Sequence, residues 1–325
     1  MADNASNDIP RRIDFQTVPA ELFEKDGELF FKFQFIPSPN RYELRTINGV
    51  ETYYDKFEDS YISNQEIEDA IKSLKGKGIY SIVPRTIRYD EYIKIRRQTV
   101  LDFLDGKEPP YRHADISEDF LVGLKRDYQM NFVILCIDIK GSTVLSQQLP
   151  TQQNARLIDL FAKEMSAIVT NYRGYVLKYV GDGLIAYFPL FNSVPVDDAA
   201  VDCAMAMKYY IEHFLNDVLP RKQFPNLTFR IGIDSGEAVV KDIGDSSNKQ
   251  HKDLIGLTIN LASKIQGRAK DNGILIGNTT LRGLHADKRT CFTKQEDYSM
   301  SENKNPYSLH ALTSYPDNQS ITIMS

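Results

Sequence analysis

The chain has 325 residues, of which 42% are hydrophobic, and carries a formal net charge of -5 at pH 7. This length and composition can bury a sizeable core and favour two domains over one. Lysine and arginine are scattered singly, which argues against a broad basic surface for nucleic acid. The cysteines, Cys136, Cys203 and Cys291, are far apart, which argues against a disulfide framework and indicates a reducing compartment.

The chain shows no sign of a membrane-inserted segment. Its first residues, MADNASNDIPRR, lack an apolar signal core. Its apolar runs fall short of the roughly 18 to 20 residues that span a bilayer. We therefore expect a cytoplasmic protein without membrane insertion.

The first third of the chain predicts a small α+β domain. Residues 28–35 alternate apolar and polar side chains as a half-buried strand does, and residues 41–47 predict a second strand. Residues 64–78 predict a helix ending in glycine, and residues 87–106 could form another. We interpret this region as a regulatory or dimer-organising module.

The polar residues and adjacent prolines of residues 105–117 cannot continue either neighbouring element, so the domain boundary is placed there. The predicted organisation is a disordered tail at 1–12, an N-terminal domain at 13–110, a linker at 111–127, a second domain at 128–315 and a tail at 316–325.

The second domain has a regular order of elements. The expected segments are a buried strand at 131–138, a helix at 151–172 with Thr151 as N-cap, a hairpin around Gly181-Asp182-Gly183, a helix at 196–215, a long strand or hairpin arm at 227–240, a helix at 257–270 and a strand at 272–277. The order β-α-β-β-α-β predicts an α+β, ferredoxin-like sheet covered on one face by helices.

Two aspartates are placed to share metal ions. Asp138 ends the first buried strand and Asp182 lies at the hairpin tip, so both carboxylates reach one edge of the sheet. Mg²⁺ and Mn²⁺ prefer a few carboxylates plus substrate phosphate oxygens. Aspartate is also common in a Gly-Asp-Gly turn for purely structural reasons.

Backbone N–H groups after Asp138 could hold a triphosphate. Gly141, Ser142 and Thr143 open a turn or short helix there. An ordinary Ser/Thr helix cap is the alternative interpretation. Further along, Asp234 and Glu237 are expected to be structural acids near the turn of the long strand.

These segments resemble the catalytic domain of class III adenylate and guanylate cyclases over roughly residues 128–312. Four blocks occur in the order found in that family: FVILCIDIKGST, GYVLKYVGDGLIAYF, FRIGIDSGEAVV and DLIGLTINLASKIQGRAKDNGILIG. The resemblance implies that Asp138 and Asp182 bind two divalent ions, Mg²⁺ or Mn²⁺, with the backbone carbonyl of Ile139 as a further ligand.

The resemblance also implies a base-recognition pair, Lys178 and Asp253. A lysine donor and a carboxylate acceptor fit the hydrogen-bonding edge of adenine and oppose that of guanine. ATP is therefore the expected substrate. Cytosine offers a similar edge, so a pyrimidine cyclase making cCMP or cUMP, as in bacterial antiphage signalling, remains an alternative.

Asn260 and Lys264 lie four residues apart on the predicted helix at 257–270, hence on one face. The resemblance implies that asparagine orients the ribose and that the second position stabilises the transition state. The family has arginine there, and lysine keeps the charge but lacks the planar fork of donors. Arg268, one turn further on, could substitute or be a solvated helix residue. Lys304 is a weak candidate for the phosphate-binding lysine of the family.

The resemblance implies a homodimer, because family sites combine the metal aspartates of one subunit with the base-recognition residues of the other. This chain carries both sets and so predicts two equivalent nucleotide sites. Two alternatives stay open. One is a catalytically silent domain that binds nucleotide as a sensor, and the other is an α/β interaction module whose acidic turns are incidental.

Overall fold

The computed structural model describes residues 13–25, 28–39, 41–56, 58–74, 86–109, 121, 127–189, 196–244, 251–299, 306–315 and 322–324. The predicted tail at 1–12, Lys304 and all of the predicted linker except residues 121 and 127 lie outside these ranges. Of the predicted C-terminal tail, residues 322–324 are described. No helix within the described ranges is long and apolar enough to cross a bilayer.

The elements are numbered in chain order. The strands are β1 (Phe15–Lys25), β2 (Glu28–Pro37), β3 (Tyr42–Ile47), β4 (Val50–Asp55), β5 (Ser60–Ile62), β6 (Thr86–Arg88), β7 (Gln129–Ile139), β8 (Tyr175–Val180), β9 (Gly183–Pro189), β10 (Phe229–Ile243), β11 (His251–Ile255), β12 (Gly273–Gly277), β13 (Phe292–Tyr298), β14 (Tyr307–Leu312) and β15 (Thr322–Met324). The helices are α1 (Asn64–Leu74), α2 (Tyr89–Leu104), α3 (Ser142–Gln148), α4 (Thr151–Asn171), α5 (Val196–Tyr210), α6 (Leu257–Arg268), α7 (Asn278–Gly283) and α8 (Ala286–Arg289). A π-helical turn, Ile211–Leu215, continues α5.

The chain forms two compact units, one of Met1–Ile82 with His285–Thr290 and the other of Val83–Leu284 with Cys291–Ser325. The first unit contains the antiparallel pair β1-β2 and the antiparallel sheet β3-β4-β5. The fully buried guanidinium of Arg41 pairs with Asp14 and Asp55 in this unit. The predicted strands at 28–35 and 41–47 are present here, whereas β1 was not predicted. The helix predicted at 64–78 is present as Asn64–Leu74, and residues 75–78 lie outside the described ranges.

The second unit is built on a sheet with strand order β13-β14-β12-β10-β7-β9-β8, and β11 pairs with β10. Within it, β7, β8, β9 and β10 have the lateral order 4-1-3-2 of a ferredoxin-like core, with α4 and α5 as its helical connections. The α+β, ferredoxin-like prediction is confirmed. The long strand β10 pairs with β7 along 11 consecutive residues, from Phe229↔Ile139 to Val239↔Gln129.

The prediction that helices cover one face of this sheet is wrong. Phe229, Ile231 and Ile233 face the α4 and α5 side, in one cluster with residues of those helices. The residues between them face α6, because an ideal Cβ atom on Gly232 would lie 2.2 Å from the backbone nitrogen of Gln266 in that helix. Helix α6 therefore covers the opposite face, and glycine at 232 permits its close approach.

Helix α2 packs on the face of the sheet that α4 and α5 cover. Its buried residues Val100 and Phe103 belong to the same core cluster as α4 and α5. Arg96 donates two hydrogen bonds to the fully buried carboxylate of Glu164 in α4, at 2.6 and 3.2 Å. Tyr210 of α5 donates a third, at 2.6 Å. The helix predicted at 87–106 is present and shares the core of the second unit.

Two local predictions are corrected. Pro150, not Thr151, is the N-cap of α4, since Thr151 already lies in the first helical turn. Asp234 and Glu237 lie within β10 and not near its turn, because the strand continues to Ile243. Asp234 is 1% exposed and accepts a hydrogen bond from the Tyr307 hydroxyl at 2.6 Å. Burial raises the pKa of its carboxyl to about 7.

Candidate active site

Asp138 and Asp182 come together where β7 meets the β8–β9 hairpin. A two-residue turn joins Val180 to Gly183, and Gly181 has a φ of 60°, which the tight hairpin turns require. An ideal Cβ atom on Gly183 would lie 2.5 Å from the carbonyl oxygen of Ile137 and 3.1 Å from Cβ of Asp138. Only glycine allows the hairpin tip, and Asp182 with it, to lie this close to Asp138.

Both carboxylates have a buried oxygen that lacks a hydrogen-bond partner among the described residues. These atoms are Oδ1 of Asp138 and Oδ2 of Asp182. A buried carboxylate oxygen without a partner is costly, and a cation would satisfy it. In the described part of the chain, no three His, Cys, Asp or Glu side chains gather as a metal cage. Two carboxylates with substrate oxygens suit Mg²⁺, which rarely uses an all-protein cage.

Arg230 is a site residue that the sequence reasoning missed. It lies opposite Asp138 in the β10–β7 ladder, and its Nη2 donates to Oδ2 of Asp138 at 3.0 Å. Its Nη1 donates to the carbonyl oxygen of Gly267 in α6, also at 3.0 Å. The guanidinium therefore links a metal-candidate carboxylate to the end of α6. The sequence signal that could have identified Arg230 is its position between two residues of the buried strand face, Phe229 and Ile231.

The predicted base-recognition residues are in contact. The Nζ atom of Lys178 on β8 donates to Oδ2 of Asp253 on β11 at 2.6 Å. The Asp253 side chain is 10% exposed and that of Lys178 is 39% exposed. The other oxygen of Asp253 accepts from the backbone N–H of Leu254 at 2.9 Å. A donor and an acceptor thus lie side by side at a partly open position, which suits a nucleobase edge.

Asn260 and Lys264 both lie exposed on α6, on the face away from its buried residues. Arg268, the candidate substitute for the arginine of the family, donates to Glu296 at 3.1 Å, and its guanidinium lies 4.7 Å from the Tyr298 ring centroid. These contacts favour a structural role for Arg268. Lys264 is then the cation on this face of α6 nearest to Asn260.

The residues after Asp138 turn into α3. Gly141 is the N-cap with a φ of 78°, and no side chain caps the helix, whose first residues are Ser142 and Thr143. Ile139 is buried, and the following Lys140 donates its backbone N–H to the carbonyl of Thr228. The helix start is therefore anchored at the end of β7, beside Asp138.

Comparison with known proteins identifies a family for residues 125–314. The family model of the adenylate and guanylate cyclase catalytic domain matches residues 125–314. An adenylate cyclase of Anabaena cylindrica is 28% identical over 156 residues, which are 46% of this chain and 30% of that protein. The chain spans less than a third of the length of the curated relatives it matches.

Two solved structures share the fold. The adenylyl cyclase CyaB from P. aeruginosa aligns with a TM-score of 0.54 at 21% identity, covering 60% of this chain and 100% of that one. The guanylyl cyclase Cya2 aligns with a TM-score of 0.53 at 21% identity, covering 62% and 100%. Since the family model matches more than half of the sequence, the chain belongs to the adenylate and guanylate cyclase catalytic domain family.

Proposed function

We propose that the chain is a class III nucleotidyl cyclase that converts ATP to 3′,5′-cyclic AMP and pyrophosphate. The observation that carries the choice of ATP is the contact between Lys178 and Asp253. Adenine presents a ring nitrogen, which can accept a hydrogen bond from a lysine, beside an amine, which can donate one to a carboxylate. Guanine presents the opposite pattern and would face unpaired polar groups.

Asp138 and Asp182 are the residues that would hold two Mg²⁺ or Mn²⁺ ions, with the backbone carbonyl of Ile139. The buried oxygens of these two carboxylates that have no hydrogen-bond partner among the described residues support this assignment. When bound, divalent ions lower the pKa of a coordinated hydroxyl and offset charge on a leaving pyrophosphate. Arg230, whose guanidinium contacts Asp138, would add a positive charge beside the same phosphates.

The remaining residues position the substrate. The backbone N–H groups at Gly141, Ser142 and Thr143, at the start of α3 directly after β7, would bind the triphosphate. Asn260 would orient the ribose, and Lys264 would offset charge that develops on the transferring phosphoryl group. Lysine offers a point charge without the fork of an arginine, so we expect Lys264→Arg to keep activity and Lys264→Ala to lose it.

Metal binding has a test that does not depend on turnover. Mn²⁺ should raise the melting temperature of the chain, since it binds only the folded state. Asp182→Asn should abolish this shift, whereas Asp242→Asn, which alters a carboxylate paired with Lys252 on β11, should keep it. An equal Mn²⁺ shift in all three proteins would contradict the assignment of the metal ligands.

We propose a homodimer in which the two sets of residues meet across a two-fold axis. Large apolar side chains beside the base-recognition and helix residues support it: Tyr179 is 57% exposed, Val180 56%, Ile255 50% and Leu257 55%. Exposed apolar groups next to a site indicate a surface that is covered in the assembly.

Complementation tests the shared site. Asp182→Ala and Asn260→Ala should each be inactive alone, and their mixture should regain activity through one intact hybrid site. Failure of the mixed, co-refolded variants to recover any activity would exclude the shared-site arrangement.

Product identity decides the substrate. The purified chain is incubated with Mn²⁺ and each of ATP, CTP, GTP and UTP, and the cyclic products are identified by mass. Cyclic AMP as the main product supports the proposal. Mainly cCMP or cUMP would indicate a pyrimidine cyclase of the antiphage kind, and nucleotide binding without product would indicate a silent sensor.

We place the protein in the cytoplasm and assign residues 13–110 a regulatory or dimer-organising role.

A further inference from the structure

Helix α8 lies inside the cyclase domain in the sequence but belongs to the first unit in the structure. The family model covers residues 125–314, and α8 (Ala286–Arg289) falls within that range. By its contacts, however, the segment His285–Thr290 is part of the unit that the N-terminal residues form. A short piece of the cyclase domain is therefore held by the N-terminal region.

An ion pair joins α8 to the N-terminal part of this unit. Nη1 of Arg289 donates to Oε1 of Glu58 at 3.1 Å, and the two side chains are 6% and 25% exposed. The backbone N–H of Glu58 donates in turn to Oδ1 of Asp55 at 3.3 Å, and Asp55 pairs with the fully buried Arg41. Through Glu58, Arg289 is thus tied to the buried ion pairs of the first unit.

The electrostatics of Arg289 make this carboxylate partner important. Burial lowers the pKa of Arg289, and the charge of Arg41 lowers it further. The carboxylates of Glu58 and Asp14 act in the opposite direction. Because a buried charge that loses its partner is costly, removing the charge of Glu58 should weaken the hold of the first unit on α8.

Both chain segments that flank α8 are fixed in the second unit. On one side, α7 ends at Gly283, where an ideal Cβ atom would lie 2.3 Å from a carboxylate oxygen of Asp197 in α5. Two residues separate the end of α7 from the start of α8. On the other side, the carbonyl oxygen of Cys291 accepts from the backbone N–H of Thr313 at 2.8 Å. A shift of α8 is therefore passed to α7 or to β13.

Helix α7 in turn supports β10, the strand that reaches the candidate active site. Thr280 of α7 and Ser235 of β10 share a hydrogen bond of 2.8 Å, and Ser235 donates to Asp197 at 2.5 Å. Earlier on the same strand, Arg230 contacts Asp138. A continuous route thus runs from α8 through α7 and β10 to a candidate metal ligand.

We propose that α8 is a docking element whose partner is the N-terminal part of this chain, and that this part acts on the candidate active site through α8, α7 and β10. The inference rests on the proposed cyclase function and on the regulatory role proposed for the N-terminal residues, and it adds the contact through which they act. While the ion pair of Glu58 and Arg289 holds α8, α7 stays packed against β10. The docked state is therefore the active one.

The test weakens the ion pair and follows two measurements on the full chain. Glu58→Gln removes the carboxylate charge with little change of shape, and Arg289→Gln removes its partner. Hydrogen exchange of the segment His285–Thr290 is followed by mass spectrometry, because the backbone N–H groups of Arg289 and Thr290 are hydrogen-bonded within it. Formation of cyclic product from ATP gives kcat and KM.

The two measurements should change together. Both variants should raise the exchange rate of α8 about tenfold, because the charge or its partner is lost. Both should lower kcat about threefold or more and change KM for ATP less than about twofold, because the proposed nucleotide contacts remain. The double variant Glu58→Gln with Arg289→Gln should be no slower than the slower single variant, since the two residues act as one contact.

The matched control is Glu43→Gln. Glu43 pairs with Arg45 at 2.6 Å in an exposed ion pair on β3 of the same unit. The same chemical change there should leave the exchange of α8 and kcat unaltered. Circular dichroism and thermal unfolding identify variants that remain folded. If Arg289→Gln does not fold, Glu58→Gln decides.

The outcomes keep the inference apart from the proposed function. Unchanged exchange of α8 in Glu58→Gln overturns the docking contact. Faster exchange without a lower kcat overturns the control through α8 and leaves the cyclase function intact. If the unmodified chain forms no cyclic product, the cyclase function fails. The route is then judged by hydrogen exchange of α7, Asn278–Gly283: a faster rate there in Glu58→Gln supports it, and an unchanged rate overturns it.

Discussion

Lys178 and Asp253 form an ion pair at 2.6 Å although 75 positions separate them in the chain. One lies on β8 and the other on β11. Their contact brings a donor and an acceptor together. Under the proposed function these two groups pair with the edge of adenine, so they are the most direct point at which to test base preference.

Reversing the charge of the lysine should change the base that is used. We expect Lys178→Glu to lower kcat/KM for ATP by at least about 100-fold, because the adenine ring nitrogen would face an acceptor instead of a donor. The loss for GTP should be smaller, because guanine offers an N–H there. Measurement of all four nucleotides by product mass checks this. The control is Lys252→Glu, which changes the residue before Asp253 on β11. This variant should keep the preference for ATP.

A methyl group on Gly183 should separate the two metal-candidate aspartates. The added Cβ atom would lie 2.5 Å from the carbonyl oxygen of Ile137, so the hairpin tip carrying Asp182 must move. We expect Gly183→Ala to reduce kcat on the order of 100-fold and to weaken the Mn²⁺-dependent rise in melting temperature. In contrast, Gly267→Ala has no neighbour within 4 Å and should retain activity with a slightly more stable helix α6. Full activity of Gly183→Ala would show that the close approach is not needed.

The buried carboxyl of Asp234 should make stability depend on pH. Its folded pKa is raised to about 7, mainly by burial, above its ordinary value of 3.8. The folded state therefore holds the proton more tightly, and the stabilising contribution is complete below about pH 4 and is lost as pH rises through 7. Across this window, the free energy of unfolding should fall by about 1.4 kcal/mol per pH unit from this group.

Denaturant unfolding of Asp234→Asn between pH 4 and 8 measures this contribution. The variant should lack the downward slope, because the amide does not titrate. Glu237→Gln, an exposed acid on the same strand, should retain the slope of the unmodified protein. Identical slopes for Asp234→Asn and the unmodified chain would exclude Asp234 as the titrating group.

The ion pair between Arg96 and Glu164 should make α2 necessary for the stability of the second unit. Arg96→Met leaves the fully buried Glu164 carboxylate without its cation, which should cost about 3 to 5 kcal/mol. Adding Glu164→Gln should restore much of this loss, since the buried charge is then absent. Lys94→Met, at an exposed position of α2, should be neutral. Chemical denaturation of the full chain measures the free energy of unfolding of each variant. Equal losses of stability in Arg96→Met and Lys94→Met would refute the stabilising role of the Arg96–Glu164 ion pair.

The local patterns in the sequence determined the type and order of most elements. The apolar run at 131–138 and the helical spacing at 151–172 identify their elements because they reflect burial of one strand or one helix face. Strand-end aspartates and a Gly-Asp-Gly turn point to a metal site for the same local reason. The motif order identifies the family.

Only the tertiary structure decided which distant side chains meet. Helical periodicity shows that α6 has an apolar face, but the face of the sheet that receives it depends on the glycines of β10, which accept a helix at close range. Arg230 lies opposite Asp138 because of the β10–β7 register, which pairs residues 92 positions apart. Likewise, α2 shares the core of the second unit through Glu164, a contact across 68 positions. Contacts between residues this far apart in the sequence depend on strand register and on how helices pack, and a local sequence pattern specifies neither.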